Sequence, residues 1–585
     1  MDCPGSNVCT KYLKPRYTTS PYSFPMARMS TMATRLAPAH FASQPDSPRG
    51  AGNAVDFFAS IATLHHPSSS PHYCSRAMGS TSIPFLREAL HTLDSRMATL
   101  LHQRRELELY LEHAARSRSP VHRLPSELLS WIFVIGVQDV DEGDPVLVSS
   151  LMLVCRYWAD VALNTPVLWS IIAVNSHGSL EKAHRKFTRS KSVPLNITLV
   201  VSPSLDQVED KVTPVMDLIQ PALWRTKAFR LSVPNRHQLD AVLARCQEDA
   251  PLLESFSVRV SHSLQEDFRS SLQTPLFNGR TPRLRSCSFT SFNFGWDVQF
   301  VSRLRVLKLG GYFNHFSPSV DTLMEVLRQC PELEELALRN MSDVDPDTCF
   351  PPKETIVTHR ILQLPRLVKA SFYYAGVMRI HALLGQISLP ALESLDFCYL
   401  DNLTPVLQHL QTQSLISLPL CYLRIESTFF NELKLIKLLH YLPSLVTLEL
   451  IDSGDASSNI LKVCGILPVK GLWPSSHYRN CQSLSTPQPW ICPKLVALNL
   501  DGCASLDWDS LRTFIQSRLP TNTRKNPSRS PIDPNSLLPS PQRIRSLDVT
   551  RCPQINKEML QWLRMYVADV RCEPTKGVWG EVELL

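Results

Sequence analysis

Leu445-Val446-Thr447-Leu448-Glu449-Leu450 reads L-x-x-L-x-L, and the same spacing returns along the second half of the chain. Copies start at Leu304, Leu333, Leu392, Leu420, Leu495 and Ile544, with weaker ones at Leu253, Leu284 and Leu367. Most starting positions advance by 20 to 34 residues; the last two steps are 50 (445 to 495) and 49 (495 to 544). The terminal L-x-L alternates like a short strand with its apolar side chains turned one way. Helical patterns fill the gaps, as in Val320–Arg328 and Phe430–Leu442. Proline stands just before several strands (Pro331, Pro365, Pro390, Pro443 and Pro493), where it stops a helix and sends the chain into extended structure. A strand and a helix per repeat predict a solenoid in which neighbouring repeats bury each other's faces.

The period is close to that of leucine-rich repeats. The asparagine expected a few residues after each strand is mostly absent, with Asn340 and Asp401 the nearest approximations. The region 225–570 resembles degenerate leucine-rich repeats, and the solenoid is predicted over 180–570. A general α/β domain with leucine-rich strands is the alternative. Polar, proline-rich inserts are expected at 452–494 and 520–542; the second reads as a disordered loop with phosphorylatable serines.

Before the repeats, residues 120–173 hold three short apolar segments. Leu124-Pro125 opens the first, and proline suits a first helical position. Glu127 lies in the first turn, where the helix dipole favours a carboxylate. Leu128, Leu129, Ile132 and Phe133 follow on helical spacing. Asp139–Asp144 is an acidic break. Val146–Val154 forms a second segment, Cys155–Ala162 a third, and Leu168-Trp169 closes the stretch. Three helices this short bury little surface by themselves, so part of the apolar surface is expected to face another element or another protein.

In order, Leu124-Pro125, Glu127, Ile132-Phe133, Val154-Cys155-Arg156-Tyr157-Trp158 and Leu168-Trp169 resemble the F-box, in particular the F-box-like proteins abundant in mushroom-forming fungi. The resemblance covers about a tenth of the chain. It implies docking on the Skp-type adaptor of a cullin-RING ubiquitin ligase, with Leu124, Pro125, Leu128, Ile132, Phe133 and Trp158 as partner-binding residues. Some of these, Trp158 above all, are alternatively internal core.

Residues 83–118 carry Leu86, Leu93, Leu100 and Leu107 at sevens, with Leu90, Met97, Arg104 and Leu111 as a second seam. This is an amphipathic helix that either folds back on its neighbours or pairs as a coiled coil, which would make a homodimer. Residues 1–82 are rich in Ser, Pro, Thr, Met and Ala without a period, and are expected to be disordered. Their basic bias is faintly transit-peptide-like, but prolines interrupt it. Residues 571–585 read as a tail.

Composition bounds the function. Apolar content is 44% and charged content 19%, as in a globular chain. The 45 prolines predict many breaks, and only 19 glycines disfavour glycine-rich phosphate loops. A net charge of +7 without a basic run gives no sign of nucleic-acid binding. The 16 cysteines include no C-x-x-C pair, and Cys287, Cys398 and Cys421 lie in apolar patterns, so reduced core thiols in the cytoplasm or nucleus are expected. No membrane span, metal site or cofactor motif is found; His65, His66, His72 and Cys74 lack ligand spacing. No hydrolase, zincin or nucleotide-binding signature is present. The sequence therefore predicts an N-terminal helix, a three-helix F-box and an irregular leucine-rich-repeat solenoid. Its expected function is a non-enzymatic substrate adaptor of an SCF-type ligase, binding an unknown protein substrate through the repeats. A non-ligase scaffold, dimeric through 83–118, is the alternative.

Overall fold

The computed structural model describes residues 83–118, 120–138, 145–175, 179–201, 209–261, 276–344, 361–413, 418–454, 458–465, 490–519 and 541–572. The expectations for 1–82, for the loop 139–144, for nearly all of 520–542 and for the tail beyond 572 lie outside these residues. The chain divides into two units after Leu111. In the first, residues 83–111 are part of the 36-residue helix α1 (Ile83–Arg118), and both apolar seams are exposed along it.

The second unit takes in the end of α1 from Glu112 and then three helices, α2 (Ser126–Gln138), α3 (Pro145–Val154) and α4 (Arg156–Leu163). The repeats follow. Their strands are β1 (Ile171–Asn175), β2 (Leu195–Val200), β3 (Thr226–Val233), β4 (Ser255–Val260), β5 (Ser286–Thr290), β6 (Val306–Tyr312), β7 (Glu335–Met341) and β8 (Leu362–Gln363). Then come β9 (Lys369–Tyr373), β10 (Ile387–Ser388), β11 (Ser394–Cys398), β12 (Tyr422–Glu426), β13 (Thr447–Ile451), β14 (Ala497–Asn499), β15 (Ser546–Asp548) and β16 (Asp569–Arg571). Fourteen of them form one parallel sheet in chain order, while β8 and β10 pair separately. Within that sheet the strands pair in chain order, always in parallel, passing over only β8 and β10, which is the topology of an α/β solenoid. The helices between strands include α5 (Leu180–Arg189), α6 (Glu209–Ile219), α7 (Arg236–Leu243), α8 (Val320–Arg328), α9 (Val377–Leu384), α10 (Thr404–Gln413) and α11 (Glu432–Leu439). The last are α12 (Ser458–Gly465), α13 (Trp508–Ser517) and α14 (Lys557–Tyr566).

The L-x-x-L-x-L residues line up as the interior. Leu307, Leu336, Ala370, Leu395, Leu423, Leu448, Leu498 and Leu547 share one register row. All are buried, as are the leucines opening each copy. Two boundaries differ from expectation. The sheet begins at Ile171, inside the stretch assigned to the three-helix segment, because Ile172 and Val174 alternate inward and β1 pairs with β2. The supposed insert 452–494 contains α12, whose Ile460, Leu461 and Cys464 are buried. It supplies the helix of that repeat.

The missing asparagines are explained by what occupies their place. Eight residues after the opening residue of each copy from Leu284 on stand Phe292, Tyr312, Met341, Ala375 and Leu400, all buried, then Thr428, Ser453, Cys503 and Cys552. The Cys503 thiol donates to the Leu450 carbonyl at 3.1 Å and that of Cys552 to Leu500 at 3.0 Å. A thiol thus replaces the amide in the last repeats and apolar filling replaces it in the middle. The described cysteines are all free thiols. Burial pushes Cys246 up to about 12 and Cys503 to about 11, so neither is a nucleophile at neutral pH.

The turn after each strand passes through the left-handed region at Ser291, Tyr374, Tyr399, Ser427 and Asp452. Such residues are uncommon there. Each donates its N–H to the neighbouring repeat: Tyr374 to Cys398 O, Tyr399 to Glu426 O and Ser427 to Ile451 O, each at 2.9 Å. Stacking fixes a conformation that local preference disfavours.

Gly376 has φ +77, and a Cβ there would lie 2.7 Å from Asp343 Cα. The Asp343 carboxylate accepts the N–H groups of Met378 and Arg379, both at 3.1 Å, capping α9 from the preceding repeat. Gly376→Val should therefore combine backbone strain with a displaced cap, lowering stability by about 2–4 kcal/mol. Urea unfolding with the midpoint of the wild type would refute this.

Candidate docking face and the outer surface of the sheet

The three-helix segment has a small core of its own. Leu129, Phe133 and Val137 of α2 pack with Val148 of α3, Val161 and Ala162 of α4, and Leu168 and Trp169. The Phe133 and Trp158 rings lie 5.0 Å apart. Trp169 Nε1 donates to Ala162 O at 2.9 Å, and Tyr157 donates its hydroxyl to Leu124 O at 3.0 Å. The segment is joined to the repeats. Arg189 of α5 lies 4.5 Å over the Trp169 ring, and Lys186 donates to Ile171 O at 2.9 Å.

Using Leu129, Phe133 and Val137 inward turns the opposite stripe of α2 to solvent. Leu128, Trp131, Ile132 and Ile135, at i, i+3, i+4 and i+7, are each more than half exposed. Val146, Leu153 and Val154 of α3 are also exposed. Single exposed leucines are ordinary, but four large apolar side chains on one helical stripe are not.

Of the residues predicted to bind a partner, Leu128 and Ile132 lie on this stripe, and Pro125 is exposed beside its start. Leu124 and Trp158 are half-buried. Phe133 is corrected: it is 2% exposed and belongs to the core, so it cannot touch a partner without opening the segment. Trp131 and Ile135, outside the predicted set, lie on the same exposed stripe, and their spacing from Leu128 is readable in the sequence. No physical signal in the sequence said which of two overlapping apolar stripes would face inward.

The solvent side of the sheet is the second candidate surface. Its residues are those alternating with the buried rows. One row runs Arg230, Ser257, Ser288, Lys308, Ala337, Ser371, Asp396, Arg424 and Glu449; the next runs Ser232, Arg259, Thr290, Gly310, Arg339, Tyr373, Cys398, Glu426 and Ile451. The Tyr373 and Tyr399 rings are 5.0 Å apart, and Tyr399 donates to Glu426 Oε1 at 3.2 Å. Arg424 bridges Glu426 at 2.5 Å and Glu449 at 3.4 Å. Burial pushes the Asp396 carboxyl up, against the opposing pull of Lys369 and Arg424. Among the described residues no His/Cys/Asp/Glu group has the arrangement of a metal site, and no helix is long and apolar enough to cross a membrane.

No family model matches this chain, and no curated protein matches it. The solved structures that match include the crystal structure of the Rad7 and Elc1 complex in yeast. That match has 15% identity and a TM-score of 0.28, covering 61% of this chain and 92% of that one. A likeness at this level says nothing of what either surface binds.

Proposed function

We propose that the chain is a substrate-recognition adaptor of an SCF-type cullin-RING ubiquitin ligase. The observation that carries the reading is the stripe Leu128, Trp131, Ile132 and Ile135, open on a helix whose other face is fully used. A helix laid against a groove reads out such i, i+3, i+4, i+7 anchors. With the F-box resemblance of 120–173, the groove belongs to a Skp-type adaptor. Burying these side chains contributes about 1.5–3 kcal/mol each before association costs. The repeats then hold a protein substrate on the outer side of the sheet. The chain does no chemistry itself; rate gain comes from holding substrate lysines beside a recruited ubiquitin-conjugating enzyme. Such a role places it in the cytoplasm or nucleus.

A dimeric scaffold is the second reading, favoured by the exposed seams of α1. A parallel in-register pair would set Arg104 against Arg104, at a cost in stability. One experiment separates the two: the purified full chain is mixed with a Skp-type adaptor and its mass measured in solution. A one-to-one complex supports the adaptor. A dimer that ignores the adaptor sinks it in favour of the scaffold.

A further inference from the structure

The outer side of β3–β7 has a charge pattern that the structure leaves unanswered. Arg230, Arg259 and Arg339 project from it and are exposed. Among the described residues none of their guanidinium groups has an ion-pair or hydrogen-bond partner. Nearby arginines at the N-terminal ends of the strands behave differently. Arg285, Arg305 and Arg366 all converge on Glu332, at 3.8, 4.0 and 3.6 Å. On the face itself, the outward positions of β1–β6 carry no carboxylate, and Glu335 of β7 is taken by Lys308 at 3.0 Å.

Between the arginines the floor is mostly small and hydroxylic, with Ser232, Ser257, Ser288, Thr290, Gly310 and Ala337, and Lys308 between Ser288 and Ala337 is held in its pair with Glu335. With strands about 4.8 Å apart, β3 to β7 spans about 19 Å, room for several residues of extended chain. Gly310 is held to this size, since a Cβ there would meet Arg339 O at 3.0 Å. Arginine forks are suited to carboxylates, and unpaired cations above a hydroxyl floor leave both charge and space for them.

We propose that this face is the docking site for an acidic, Asp/Glu-rich polypeptide segment, held by Arg230, Arg259 and Arg339. The assignment rests on the adaptor reading only in calling that segment part of the substrate. Two observations favour a polypeptide over a nucleic-acid strand. Outward positions of β3–β7 offer no aromatic ring for base stacking. Beyond Tyr373 the face turns acidic, with Asp396, Glu426 and Glu449 against Arg424 alone, so a short acidic segment confined to β3–β7 is accepted while a long, uniformly charged strand running on along the sheet is repelled.

The test is fluorescence anisotropy of the full chain with a labelled peptide of alternating glutamate and glycine. Binding is expected, weakening as salt rises, and falling about tenfold or more in the triple variant Arg230→Glu, Arg259→Glu, Arg339→Glu. These side chains are exposed, so the variant should fold; its circular dichroism checks this. Arg285→Glu, at the strand ends, should leave the affinity unchanged. Equal binding by the triple variant overturns the proposal, and so does tighter binding of a single-stranded oligonucleotide lost with the same three arginines. Because no adaptor is present in the assay, its failure leaves the docking role of α2 standing, and the converse.

Discussion

The double variant Trp131→Ala, Ile132→Asp is expected to lose capture of a Skp-type adaptor while its fold is unchanged. Both side chains are more than half exposed and sit one residue apart in the middle of the α2 stripe. Central aromatic anchors of an interface typically cost about 2 kcal/mol or more when truncated. An aspartate at the neighbouring anchor adds the desolvation of a charge without a partner. Together these amount to about 4 kcal/mol, on the order of a thousandfold in affinity. Phe133→Ala is the contrasting variant. Its ring is packed against Trp158 and is closed to solvent, so the loss should appear as stability, about 3–5 kcal/mol, with capture failing only as the segment unfolds. Undiminished capture by the folded double variant would remove α2 as the docking element.

Arg379→Met should be the most damaging single change in the repeats. Arg379 is wholly buried in α9. Its guanidinium donates to Pro318 O, to Ser317 Oγ at 2.5 Å and to Ser342 O at 2.5 Å. These acceptors follow β6 and β7, so one side chain ties together three successive repeats. Methionine fills a similar stem but donates nothing, leaving buried acceptors unsatisfied at about 1–3 kcal/mol each. A loss of about 3–5 kcal/mol is expected. Because repeats contact only their neighbours, amide-exchange protection should fall first over 313–344 and 376–385 rather than evenly along the chain. Uniform loss, or none, would contradict the staple. Arg225 and Arg518 are buried in the same manner, each donating to the carbonyls of residues 187–193 and 491–495 respectively.

Sequence alone determined the elements that repeat locally. The L-x-x-L-x-L spacing is carried by six consecutive residues, so it announced strand, turn and burial at Leu304, Leu333, Leu445 and Leu495 without reference to anything distant. The apolar periods read at Leu128–Phe133, Val146–Val154 and Cys155–Ala162 likewise lie within a few turns of chain. It failed where the helix of a repeat, Ser458–Gly465, was short and followed by a polar stretch.

Only the tertiary structure decided which way equivalent residues face. Phe133 and Trp131 are two residues apart and similarly apolar, yet one fills the core and the other meets solvent, because the positions of α3 and α4 choose the inward stripe. Arg379 and Arg339 are the same residue type, one sealed among carbonyls and the other bare on the sheet. Tyr374 and Tyr399 hold left-handed turns since the next repeat accepts their amides. Periodicity is written into neighbouring residues, whereas facing and pairing depend on partners tens of residues away that come together only when the strands stack.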